Sequence, residues 1–254
     1  MKSSSLTIDV AGRAMPAYLA QPEEGSGSHP AVIVLQEIFG VNTEMKRITD
    51  LVASAGYVGL AINYYHRTDP DLNEPYDESG YKNGFIAAGK LTKAELREDV
   101  AAAIAWLDQQ PFVRKGKIAT WGFCLGGTVA FVTAPLPGLC GAISFYGTSI
   151  ASALPNGEVE ALVDADKIKI PLLLVFGGKD TSIPPESIER IDTALKAAAV
   201  HHRVQVYPNV GHAFFRHGSP AAISGQNNSS AEAVAESVAD AWNLVQNFLK
   251  HVLH

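Results

Sequence analysis

Three residues have the types and order needed for nucleophilic catalysis: Cys124, Asp180 and His212. Cys124 sits in Gly122-Phe123-Cys124-Leu125-Gly126-Gly127, the Gly-x-nucleophile-x-Gly pattern of a strand-turn-helix elbow, with Cys where Ser is usual. The flanking glycines have a mechanical purpose. A nucleophile on a strained turn needs neighbours without side chains, so that strand and helix can approach each other. A free thiol has a pKa of about 8.5, so a general base or ion-pair partner is required near neutrality. His212, in Gly211-His212-Ala213-Phe214, is the candidate for that role, and Asp180, in Gly177-Gly178-Lys179-Asp180, is the candidate to orient its ring. The oxyanion formed on attack needs two preorganised donors; one would be the backbone N–H after the nucleophile, that of Leu125.

The elements that must position these residues are apolar strands alternating with amphipathic helices. Strands are expected at Ala31 to Gln36, Val58 to Ile62, Ile118 to Trp121, Ala142 to Phe145, Leu172 to Phe176 and His202 to Tyr207. Helical patterns follow Asn42, run from 92 to 110, start after Gly126, and occupy 186–199 and 230–250. Thr92 with Glu95 makes a capping box, and Pro111 stops that helix. The alternation predicts an α/β fold with a mostly parallel sheet covered on both faces, whose ligands sit at the carboxyl ends of the strands. Cys124, Asp180 and His212 each follow a predicted strand. An antiparallel hairpin is expected at about 5–20, and long loops at 63–91, 148–169 and 215–229, the first two being possible lids.

With 254 residues, 47% hydrophobic and 18% charged, the chain reads as one globular domain spanning 1–254. The net charge of −6 and the lack of a basic run argue against nucleic acid and anionic membrane as partners. No apolar stretch reaches the roughly 18 residues of a spanning helix, and the first 21 residues lack an apolar leader core, so a cytoplasmic location is expected. The histidines His29, His66, His201, His202, His217, His251 and His254 offer no coherent metal set, and most read as solvated. No cofactor is expected.

Nucleophile, acid, histidine is the chain order of α/β-hydrolases. Together with Glu37-Ile38-Phe39-Gly40-Val41-Asn42, the motifs above resemble the dienelactone hydrolase (carboxymethylenebutenolidase) family over roughly residues 5 to 250. The resemblance implies a single-domain α/β-hydrolase that opens a small ester or lactone through an acyl-thioester, without metal or organic cofactor. It further implies that Glu37 contacts the resting thiol and that Ile38 supplies the second oxyanion N–H. Arg216 matches one of two arginines that hold a substrate carboxylate, with Tyr81 and Tyr146 as further pocket residues. The second arginine is missing from the stretch 75–85, which offers Tyr76, Asp77, Tyr81 and Lys82; Arg67 and Lys82 are candidates to substitute for it.

Two other classes compete. A thiol redox protein would need Cys140, the only other cysteine, as a resolving thiol, although Cys140 begins a predicted strand and reads as buried and inert. A non-catalytic binding module on the same fold is expected to lack one of the three residues, and this chain keeps them all.

Overall fold

A computed structural model describes residues 1–23, 27–216 and 229–254. One eight-stranded sheet runs through it in the order β1-β2-β4-β3-β5-β6-β7-β8. β1 (Lys2–Val10) and β2 (Arg13–Gln21) form the expected hairpin, longer than its apolar pattern, around Ala11 and Gly12. Both turn residues have positive φ, 50° and 82°, which suits the right-handed twist of a two-residue hairpin. β2 joins β4 (Val58–Ile62) antiparallel. From there β4, β3 (His29–Leu35), β5 (Val113–Phe123), β6 (Leu139–Phe145), β7 (Leu172–Gly177) and β8 (His202–Tyr207) are parallel.

Parallel strands need crossovers, and these bury both faces of the sheet. On one face Trp121, Phe123 and Phe145 pack with Met45 and Ile48 of α1 (Thr43–Ser54) and with Val245 and Leu249 of α6 (Ala231–Leu253). On the other, Ile33, Leu35, Leu60 and Ile118 pack with Leu96, Val100 and Leu107 of α3 (Lys93–Asp108). The caps read from sequence are in place. Asn42 accepts from the Glu44 and Met45 amides, and Thr92 and Glu95 close a reciprocal capping box.

Two of the expected loops hold helices. α2 (Glu78–Ala88) interrupts 63–91, and a short 3-10 turn at Ala161–Lys167 interrupts 148–169. α2 escapes pattern reading because Gly80 and Gly84 lower its propensity and because Tyr81, Phe85 and Ile86 point outward, which erases the apolar stripe. Gly84 is there for closeness: a Cβ would lie 2.4 Å from the Ile38 carbonyl oxygen, so the helix rests on the loop after β3. α4 (Leu125–Thr133) and α5 (Pro185–Ala197) complete the described helices. No described helix is long and apolar enough to cross a membrane. Most of the expected loop 215–229, including His217, lies outside the described residues.

Candidate active site

The carboxyl ends of β3, β5, β7 and β8 bring the predicted residues together. β5 ends at Phe123 and α4 begins at Leu125, leaving Cys124 alone on the turn with φ 53° and ψ −116°. Such a conformation is costly for a non-glycine residue and persists only where the surroundings enforce it. Here the Cys124 amide donates to the Phe145 carbonyl at 3.0 Å, and a Cβ on Gly126 would lie 2.1 Å from the Leu35 carbonyl oxygen. Backbone meets backbone on that side, so nothing can yield. Gly126→Ala is expected to cost about 3 kcal/mol or more, read as a lower denaturant midpoint; an unchanged midpoint would show the elbow to be looser than this. Leu125 opens α4, where the first N–H groups have no intrahelical acceptor.

Asp180 follows β7 with its carboxylate fully buried, and its Oδ2 is 2.7 Å from His212 Nδ1. Its Oδ1 accepts the Ser182 amide at 2.8 Å, which fixes the carboxylate plane. With Nδ1 turned to Asp180, the far nitrogen of the imidazole faces Cys124. Burial by itself would lower the pKa of His212, but the Cys124 sulfur and the Asp180 carboxylate outweigh it and push the ring up to about 10.

Glu37 lies beyond the end of β3 and is 2% exposed. The structure places its carboxylate against Arg216, with Oε2 3.6 Å from Nη1, and no Glu37–Cys124 hydrogen bond occurs among the described residues. Arg216 lies over the Tyr76 ring, its guanidinium carbon 4.0 Å from the centroid. Tyr76 in turn packs edge-on against Phe39 at 4.7 Å and donates to Asn42. Tyr76 was visible in sequence only as one residue of a stretch lacking arginine; nothing in its spacing marked it as the platform for Arg216.

Tyr146 is buried, has φ 41°, and stands edge-on to His212 with ring centroids 5.1 Å apart. Burial pushes its phenol well up, and the charges of Glu37 and Cys124 add to this against Arg216. Tyr81 is half-exposed on α2 and stacked on Phe85; partial burial and the charge of Cys124 raise its phenol as well. Ile38 sits in the loop under α2 and is 6% exposed.

Several expectations need correction. Arg67 cannot replace a missing arginine in the pocket, because its guanidinium is committed to Asp99 and Glu98 of α3. Lys82 is exposed on α2. His66 is not solvated: its side chain is fully buried, with Nε2 2.9 Å from Asp99, since a buried carboxylate there needs donors. Cys140 is half-buried rather than buried, its thiol 3.1 Å from the Gly116 carbonyl. It lies at the amino end of β6, the opposite end of the sheet from Cys124, where it cannot resolve an oxidised Cys124 without unfolding.

This strand order, with a nucleophile-type residue on the elbow after β5 and acid and histidine after β7 and β8, defines an α/β-hydrolase. The model of the dienelactone hydrolase family matches residues 15–253, and the chain belongs to that family. A Synechocystis sp. protein named "Putative carboxymethylenebutenolidase" is 34% identical over 250 residues, 98% of this chain and 97% of that one. A Bradyrhizobium sp. protein named "Probable 2-oxo-3-(5-oxofuran-2-ylidene)propanoate lactonase" is 31% identical over 83% of each. The crystal structure of "Putative Dienelactone Hydrolase" from Klebsiella pneumoniae superposes with a TM-score of 0.83 at 27% identity, covering 98% of both chains.

Proposed function

We propose that the chain hydrolyses small carboxylic esters or lactones through an acyl-thioester on Cys124, as one catalytic domain acting on a small molecule in the cytoplasm. The observation that carries this is the alignment of Asp180, His212 and Cys124, with Asp180 2.7 Å from one ring nitrogen and the strained elbow facing the other.

The Cys124 thiolate, paired with the His212 imidazolium, attacks the carbonyl carbon. The oxyanion is received by the N–H groups of Leu125 and Ile38, and collapse expels the alkoxide or enolate, which takes its proton from His212. Once the sulfur is acylated its charge is gone. The largest influence raising the imidazole then disappears, while burial continues to lower it, so His212 returns toward its ordinary range and can serve as base. It takes a proton from water, hydroxide attacks the thioester, and the Cys124 thiolate leaves with His212 again protonated beside it. One nitrogen thus acts as acid, then base, because the charge of its neighbour changes between the two half-reactions.

Arg216 is proposed to hold a substrate carboxylate, with Tyr81 and Tyr146 shaping the pocket. A substrate carboxylate must compete with Glu37 for the guanidinium, and a Glu37 displaced toward the thiol would disfavour thiolate by like charge. Glu37→Gln should therefore lower KM for a carboxylate-bearing lactone about three- to tenfold, leave KM for p-nitrophenyl acetate unchanged, and shift the thiol's alkylation profile to lower pH. Identical KM values and an identical profile would remove Glu37 from the mechanism.

A further inference from the structure

We infer that Tyr64 and Tyr65 are positioning residues that hold the Glu37–Ile38 peptide where its N–H meets the oxyanion. The inference rests on the hydrolase reading above. Both tyrosines lie just beyond β4, after Asn63, and are buried, 1% and 0% exposed, and both hydroxyls bond to the backbone of the loop after β3. Tyr64 donates to the Gln36 carbonyl, and Tyr65 donates to the Ile38 carbonyl at 3.3 Å. These two carbonyls belong to the peptide units on either side of Glu37–Ile38. Tethering both flanks fixes the two Cα atoms that bound the central peptide, and with them the position of the Ile38 N–H.

The tethers have rigid feet. Asn63 accepts the Tyr65 amide at 3.0 Å and donates to the Pro70 carbonyl at 2.8 Å. The next two residues, His66 and Arg67, lock onto the buried Asp99 of α3. The otherwise unexplained ionic cluster thereby acquires a purpose, since it anchors the segment from which the tyrosines reach the loop. α2 closes the same loop from outside through Gly84, whose missing Cβ lets the helix rest on the Ile38 carbonyl. Burial, reinforced by the charge of Cys124, keeps both phenols protonated and so available as donors.

Phenylalanine preserves the packing and deletes only the donors. In the Y64F/Y65F double variant, acylation by p-nitrophenyl acetate and deacylation should both slow by about 30- to 100-fold, because misplacing an oxyanion donor by a fraction of an ångström is felt in the transition state. KM should stay within about twofold. Alkylation of Cys124 by iodoacetamide, a displacement at saturated carbon that forms no oxyanion, should also stay within about twofold. Y18F, which removes a part-buried hydroxyl bonded to Asp50 at 3.0 Å, serves as the control for losing a tyrosine donor elsewhere. If the double variant does not fold, the same rates are read on Y64F and Y65F singly. Acylation within twofold of wild type, or alkylation falling in parallel with acylation, would overturn the inference. Wild type that is never acylated at Cys124 would instead sink the hydrolase reading, and this inference with it.

Discussion

Cys124→Ala is expected to lower kcat/KM for p-nitrophenyl acetate by about five orders of magnitude, roughly 7 kcal/mol of transition-state stabilisation. The size follows from the loss of the covalent route itself. Without sulfur, His212 could at best activate a water, and the Leu125 and Ile38 donors would stabilise an oxyanion that no tethered nucleophile creates. The variant should fold, because alanine is smaller than cysteine and the strained φ of 53° is enforced by the backbone contacts of Gly126 and Phe145 and not by the thiol. Circular dichroism and the denaturant midpoint check that point separately from the rate. A Cys124→Ala protein retaining wild-type turnover would place the chemistry elsewhere.

His212→Ala is expected to cost about four orders of magnitude in the same rate, and Asp180→Asn about three to four, since Asn leaves the ring in place but removes the charge that fixes its tautomer. The pH dependence of thiol alkylation reports the pairing of His212 with Cys124. In wild type His212 holds its proton up to about 10, so the favourable pairing with the thiolate persists through neutrality and is lost only as pH rises through that value. Without the imidazolium the thiolate loses its charge partner, and iodoacetamide should react about 30-fold more slowly at pH 7. Above pH 10 both proteins should alkylate at similar rates. Equal rates at pH 7 would mean that His212 and Cys124 do not form an ion pair.

Much of this was legible in the chain because local rules and the fold agree. A continuous apolar run gave β4 to the residue and an alternating one gave β8, Asn42 and Thr92 announced their helices through capping chemistry, and glycines bracketed Cys124 for steric reasons evident from sequence. Asp180 and His212 could be placed because each follows a strand in a parallel sheet. What sequence could not supply were relations between elements distant along the chain. α2 carries its apolar residues outward and its glycines inward, the reverse of an amphipathic pattern, because its partner is the carbonyl of Ile38. Arg67 was indistinguishable from a pocket arginine until Asp99 and Glu98 were seen to claim it. Tyr76 under Arg216, and Tyr64 and Tyr65 on the oxyanion loop, depend on contacts spanning tens of residues. A signal for the last pair did exist, since tyrosines at the carboxyl end of a parallel strand stand where such sheets place their ligands.

The most direct test of the thioester mechanism is intact-protein mass spectrometry after rapid acid quench within the first turnover of p-nitrophenyl acetate, with peptide mapping of the product. Wild type is predicted to gain a single acetyl group on Cys124 that disappears as turnover proceeds, and Cys124→Ala to gain none and release no burst of p-nitrophenol. Turnover without any adduct, or an adduct and burst that survive in Cys124→Ala, would contradict the account.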